Sequence, residues 1–246
     1  MLGRADPSFP ILDVGDWFQF PDPEEADGSL VAVGGNLSPG MLLSAYRQGI
    51  FPWFNDDDPI LWQSPDPRFV ILPERFRVGD RLARSMRRSP FRLTVDLAFA
   101  RVIGFCSSIA RAGQDGTWIT DDMAAAYNDL HERGFAHSVE AWLGDELVGG
   151  FYGVSIGPVF FGESMFSRVP DASKTAFASF ARAFFGEMGG RLIDSQVYTD
   201  HVARFGGANV SRSAYRRMLA ELLPPANEGA RWPADLLGRQ SGGVNL

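Results

Sequence analysis

The spacing of apolar positions changes along this chain, and each change predicts an element. Over residues 1–70 the apolar residues keep no sustained period, and turn signals interrupt them at Pro21-Asp22-Pro23, Gly34-Gly35 and Pro65-Asp66-Pro67. Within that stretch Met41, Leu42, Ala45 and Tyr46 follow Ser38-Pro39 at helical spacing, which predicts one N-capped helix ending at Gly49. Beyond Phe69 the periods lengthen. Helices are predicted over 80–88, over 94–109 after a short strand at Phe91-Arg92-Leu93, and over 120–133, where Thr120 caps and Gly134 stops the last. Three strands follow, 138–143, 146–155 and 159–164, joined by turns at Gly144-Asp145 and Gly157-Pro158. Asp171 then caps a helix running to about Met188, a strand is predicted over 191–197, and a helix pair fills 200–223.

Three antiparallel strands, a helix, a strand and a helix make an α+β pattern of the acetyltransferase-like (GNAT-like) kind, with a mainly antiparallel central sheet supporting a cleft. The expected organisation is a small loop-rich N-terminal domain over 1–70, a larger domain over 71–225 and a poorly ordered tail over 226–246. Phe177, Phe180 and Phe184 recur at i, i+3 and i+7 on one helix face, with Phe151, Met165 and Ile193 on strands able to oppose them. That is first a core stripe.

With 45% apolar residues in 246, the chain can bury a sizeable core. Its apolar runs stop well short of the roughly 20 residues a bilayer span needs, and its first residues carry no apolar export segment, so a soluble cytoplasmic protein with no membrane partner is expected. A single cysteine, Cys106, and the scattered His131, His137 and His201 give no metal-ligand spacing, so no metal is expected. The net charge of −7 argues against a nucleic-acid partner until its distribution is considered. Between Arg75 and Arg92 seven arginines face one acid, Asp80. With Arg77 just before the predicted helix, Arg77, Arg81, Arg84 and Arg88 fall at i, i+4, i+7 and i+11, as a solvated face or as a basic ridge for tRNA.

The candidate chemistry lies in ordered segments. They are Gly34-Gly35-Asn36-Leu37-Ser38-Pro39, Ala45 through Phe54, Ser64-Pro65-Asp66-Pro67-Arg68, Thr117-Trp118-Ile119-Thr120 and Ala136-His137-Ser138-Val139-Glu140. Phe161 through Ser167, Asp171-Ala172-Ser173-Lys174 and Leu192-Ile193-Asp194-Ser195-Gln196 complete the set. In these the chain resembles the leucyl/phenylalanyl-tRNA–protein transferase family. The resemblance implies transfer of Leu or Phe, and by extension Met, from Leu-tRNA or Phe-tRNA to proteins beginning with Arg or Lys, marking them for degradation. It implies a catalytic domain related to acetyltransferases, with no acyl-CoA, ATP, metal or other cofactor. A monomer is expected.

Such a reaction must deprotonate an α-amine of ordinary pKa about 7.7–8.0 and align it with an ester carbonyl. On a strand, residues two apart share a face, so Asp194 and Gln196 are expected to point into the cleft and Ser195 away from it. The resemblance assigns that Asp and Gln a proton relay. Ser195 replaces a family cysteine, which removes that thiol as a necessary nucleophile. The resemblance also places Glu163 in the active site, against the tRNA terminal ribose or a basic acceptor side chain; a salt bridge to Arg168 is the structural alternative. Trp53 and Trp118 are the implied platforms for the terminal adenine, since base stacking on an aromatic ring is worth about 1–3 kcal/mol. A second family tryptophan is Gln63 here, beside Trp62. The aminoacyl pocket is implied among Phe151, Met165, Phe177, Phe180, Phe184 and Ile193.

Two rivals set the terms of the test. An acyl-CoA enzyme would cradle pyrophosphate on a Gly-rich loop at a helix N-terminus, but this chain has Arg168-Val169-Pro170-Asp171-Ala172-Ser173 there. A non-catalytic module for tRNA or protein N-termini would need the cleft but not Asp194 or Gln196.

Overall fold

The computed structural model describes residue 6 and residues 8–108, 119–233 and 235–237. The N-terminal part folds as a three-stranded antiparallel sheet in the order β1 (Leu30–Val33), β3 (Leu61–Gln63), β2 (Phe51–Pro52), with helix α1 (Pro39–Arg47) between β1 and β2 in sequence. The hydroxyl of Ser38 does not cap α1; it accepts from the Leu12 N–H at 3.1 Å and ties the preceding loop down instead.

The second sheet has seven strands, β4 (Arg68–Ile71), β5 (Arg92–Val95), β6 (Ala136–Leu143), β7 (Glu146–Ile156), β8 (Val159–Ser167), β9 (Leu192–Asp194) and β10 (Ala208–Val210). Their spatial order is β10-β4-β9-β8-β7-β6-β5, and every described pair is antiparallel except β8 with β9. This is the α+β class expected. Both faces are covered. Helices α3 (Phe99–Ser108) and α4 (Asp121–Glu132) lie on one side with α1, while α2 (Asp80–Arg87) and α5 (Ala172–Gly186) lie on the other. Burial on both faces explains why β7 reads as a continuous apolar run rather than as an alternation. Gly149 lets α5 close onto β7: a Cβ there would meet that of Ala172 at 2.6 Å.

The N-terminal sheet shares its core with the large one. Met41, Leu42, Tyr46 and Trp62 pack in one buried cluster with Tyr127, Tyr152 and Phe161. The expected boundary at residue 70 falls inside β4, which belongs to the large sheet.

Four element assignments differ from the sequence reading. Helix α3 begins at Phe99 rather than Thr94, because Thr94 and Val95 pair with β6 and Asp96 takes a left-handed φ of 56°. Strand β9 stops at Asp194 rather than Val197, since the chain turns at Gln196, whose φ is 55°. The predicted helix pair over 200–223 is α6 (Asp200–Ala203), β10 and α7 (Arg212–Leu222), because Gly206-Gly207 ends the first helix and Ser211 caps the second. Of the tail expected to be poorly ordered over 226–246, residues 226–233 and 235–237 are described and pack on the protein, and the remainder lies outside the described residues. Ala230 N–H donates to Gly134 O at 2.9 Å, Trp232 stacks on His137 at 3.9 Å and on Phe180 at 5.4 Å, and Leu236 and Leu237 are buried.

Candidate active site

A cavity of about 480 Å³ opens where the ends of β8 and β9 meet the N-terminal sheet. Trp53, 38% exposed, stands at its mouth beside Phe51. Phe151, Met165, Phe177 and Ile193 form an apolar wall, and Glu163 and Gln196 supply polar groups.

Glu163 follows a run of buried strand residues, and its carboxylate lies among rings. Tyr46 OH donates to Oε1 at 2.7 Å, Tyr127 OH to Oε2 at 3.2 Å and Gln196 Nε2 to Oε1 at 3.0 Å; the two tyrosine hydroxyls also touch each other. Burial pushes the Glu163 pKa up, the tyrosine hydrogen bonds pull it back, and the nearby Asp194 charge adds to the rise, leaving it at about 7. Burial and the Glu163 charge hold both tyrosines well above the usual phenol range, so they stay protonated donors. Arg168, the alternative partner, lies instead over the ring of Phe105.

Asp194 is fully buried and its two oxygens accept four hydrogen bonds. Arg68 Nε and Nη2 donate at 2.9 and 2.7 Å, Tyr215 OH at 2.7 Å and the Gln196 backbone N–H at 2.9 Å. Four donors match the lone-pair sites of a carboxylate. Arg68 is itself held between the rings of Phe51 and Tyr215, its carbon 4.8 and 4.6 Å from their centroids. Burial works against its charge, but the Asp194 carboxylate and Tyr215 more than reverse that and raise its pKa.

The cavity therefore brings together Glu163, Gln196, Asp194, Trp53, Phe151, Met165, Phe177 and Ile193. Several details differ from the sequence reading. Asp194 and Gln196 do not act as same-face strand neighbours: β9 has ended, Asp194 faces Arg68, and Ser195 borders the cavity rather than turning away. Phe180 and Phe184 lie one layer behind the wall, stacked on each other and against Phe160, so they are core. Trp118 lies outside the described residues. Arg77 precedes α2, and Arg81, Arg84 and Arg88 are exposed along it, with Leu82 and Met86 packed against the second core. Sequence reasoning missed Tyr46, Tyr127, Arg68 and Tyr215. Tyr46 and Arg68 stand inside quoted segments, but nothing local marks them as partners of residues more than a hundred positions away. Among the described residues no group of three or more His, Cys, Asp or Glu is placed to hold a metal, and no helix is long and apolar enough to cross a membrane.

A profile of the family described as leucyl/phenylalanyl-tRNA protein transferase matches residues 70–220, and one for the N-terminal domain of that family matches residues 35–66. A Myxococcus xanthus protein named leucyl/phenylalanyl-tRNA–protein transferase is 54% identical over 214 residues, 87% of this chain and 91% of its own. One of the same name from Escherichia coli O7:K1 is 50% identical over 206 residues, 82% of this chain and 86% of its own. Among solved structures, a GCN5-related N-acetyltransferase from Kribbella flavida matches with a TM-score of 0.35 at 13% identity, over 71% of this chain and 62% of its own.

Proposed function

The chain belongs to the leucyl/phenylalanyl-tRNA–protein transferase family, and from that premise we propose that it moves leucine or phenylalanine from aminoacyl-tRNA to the α-amine of proteins beginning with Arg or Lys, with Glu163 as the base. One observation carries the reading. The Glu163 carboxylate, held by Tyr46, Tyr127 and Gln196, lines an apolar cavity with room for a substrate; burial raises its pKa to about 7, which suits a base for an amine whose ordinary pKa is about 7.7–8.0. The donor side chain occupies the wall of Phe151, Met165, Phe177 and Ile193, and the terminal adenine stacks on Trp53. The acceptor nitrogen attacks the ester carbon, an amine proton passes to Glu163, the bond to the ribose oxygen breaks, and that oxygen takes the proton back.

Asp194 is the positioning group in this scheme, because its lone pairs are engaged before any substrate arrives. It fixes the Gln196 backbone, and the Gln196 amide holds Glu163. Charged tRNA exists where translation runs, which puts the reaction in the cytoplasm. The direct experiment mixes the protein with Leu-tRNA and a peptide beginning with Arg, without ATP or CoA. Mass spectrometry should show one added leucine; acylation only when an acyl-CoA is supplied would replace this reading with the CoA one.

Wall and core separate by substitution. Phe180→Ala should cost about 3–5 kcal/mol of stability with Leu/Phe preference unchanged, whereas Phe177→Ala should shift preference toward larger donors. Reversed outcomes in folded proteins would move the pocket one layer inward.

The arginines of α2 serve the acceptor stem. Arg84→Ala with Arg88→Ala should weaken all charged tRNAs about equally and flatten the dependence of log affinity on log salt by roughly 0.7–0.9 per lost phosphate contact. Superimposable salt lines would leave the ridge a solvated face.

A further inference from the structure

His201 stands on a seam between two cavities. It borders the active-site cavity and also a second one of about 500 Å³, bounded by Gly79, Asp80, Arg81 and Leu82 at the start of α2, Asp171 and Lys174 at the start of α5, and Arg204 and Phe205 after α6. The Nε2 of His201 is buried with no hydrogen-bond partner among the described residues. A buried polar atom of that kind wants a ligand. The surrounding field indicates its sign. Burial comes first in pushing the His201 pKa down to about 4, and the Lys174 and Arg204 charges push it further the same way. Of the two acids present, Asp171 is engaged by Ser85 Oγ at 3.0 Å and by Lys174 Nζ at 3.3 Å. Asp80 sits in the first turn of α2, where it balances the helix N-terminus. Arg81 and Arg204 are exposed at this cavity, and the Arg81 charge acts on Asp171 as Lys174 does.

We propose that this second cavity binds a backbone phosphate of the donor tRNA, the one on the 5′ side of the terminal adenosine. The proposal rests on the transferase reading above and adds a subsite to it. A positive cavity next to the active site repels an acceptor that begins with Arg or Lys, which leaves the donor as its occupant. Every aminoacyl-tRNA carries a phosphodiester next to its terminal nucleoside, whatever its sequence. Arg81 belongs both to the cavity and to the ridge that continues through Arg84 and Arg88, so the 3′ strand has a continuous cationic track from the adenosine to the stem. The His201 Nε2, carrying the ring proton, donates to the phosphate and so acquires its missing partner; Arg204 supplies a charge-assisted hydrogen bond beside it.

The test compares two minimal donors on the intact protein, the leucyl ester of adenosine and the leucyl ester of adenosine 5′-monophosphate. The phosphorylated donor should have a KM at least about tenfold lower, the scale of one charge-assisted hydrogen bond. That advantage should vanish in the double variant Arg81→Ala, Arg204→Ala and persist in Arg204→Lys. In parallel, adenosine 5′-monophosphate should raise the His201 pKa followed by NMR, and adenosine should not. Equal KM values for the two donors in an active wild-type enzyme, or an advantage that survives the double variant, overturn the subsite and leave the transferase reading standing. No transfer from intact Leu-tRNA defeats the transferase reading instead, and the NMR titration then decides the phosphate site alone.

Discussion

Glu163→Gln should lower transfer by about a hundredfold to ten-thousandfold, the range for a positioned proton-transfer group, while aminoacyl-tRNA still binds and the protein still unfolds cooperatively. The substitution keeps the shape and still accepts from Tyr46 or Gln196, so the loss reports the missing base. The pH dependence adds a second signature. In the wild type kcat/KM should rise with pH through about 7 as Glu163 ionises. Its pKa is raised on folding, so the folded chain binds the proton more tightly than the unfolded one between about 4.5 and 7, and stability should fall as pH rises across that window. Glu163→Gln should abolish both the limb near pH 7 and that slope of stability. A variant that keeps the wild-type rate and its limb near pH 7 would remove Glu163 from the chemistry.

Arg68→Met should cost about 3–5 kcal/mol, the scale for leaving one charge of a buried pair without its partner, and that is a large share of a typical total of about 5–15 kcal/mol. Asp194→Ala should be as damaging, because the Arg68 guanidinium is then buried with only Gly49 O and Tyr215 as acceptors. The informative construction is the double variant Arg68→Met, Asp194→Leu, which removes both charges. It should recover most of the stability in a urea titration while remaining inactive, since Gln196 loses the acceptor for its backbone N–H. Recovery of activity together with stability would show that Asp194 does nothing for Gln196. Equal destabilisation by the double and single variants would show that the pair is not the source of the cost.

Local signals carried much of the fold. Thr120 caps α4, Gly134 ends it, and the hairpin between β6 and β7 turns at Gly144-Asp145 as its residues predict. What local signals could not carry is distance and depth. Arg68 and Asp194 are 126 positions apart and Tyr46 and Tyr127 are 81 apart, and nothing in either neighbourhood names its partner. The phenylalanine stripe of α5 gives a face but not a layer, so Phe177 in the wall and Phe180 behind it look alike in sequence. The period-two argument for Asp194 and Gln196 failed at one dihedral angle, the left-handed Gln196, a conformation uncommon for residues other than glycine. Trp232 could be recognised as packed only once Phe180 and His137 were known to offer a surface.

The position of β4 between β9 and β10 bears on how the molecule is made. Its residues 68–71 are translated early, but both neighbours, at 192–194 and 208–210, are translated late. At about 5–20 residues per second, Arg68 waits roughly 6–25 seconds for the carboxylate that is 126 residues downstream. During that interval β4 offers two unpaired edges to any other nascent strand. The floor of the cavity thus closes only once residues 192–210 have been made, so a chain that stops short of them is inactive however well its first half has folded. A chain cut short before Ala208 keeps β4 open along one edge and is the form most prone to pair with its own kind.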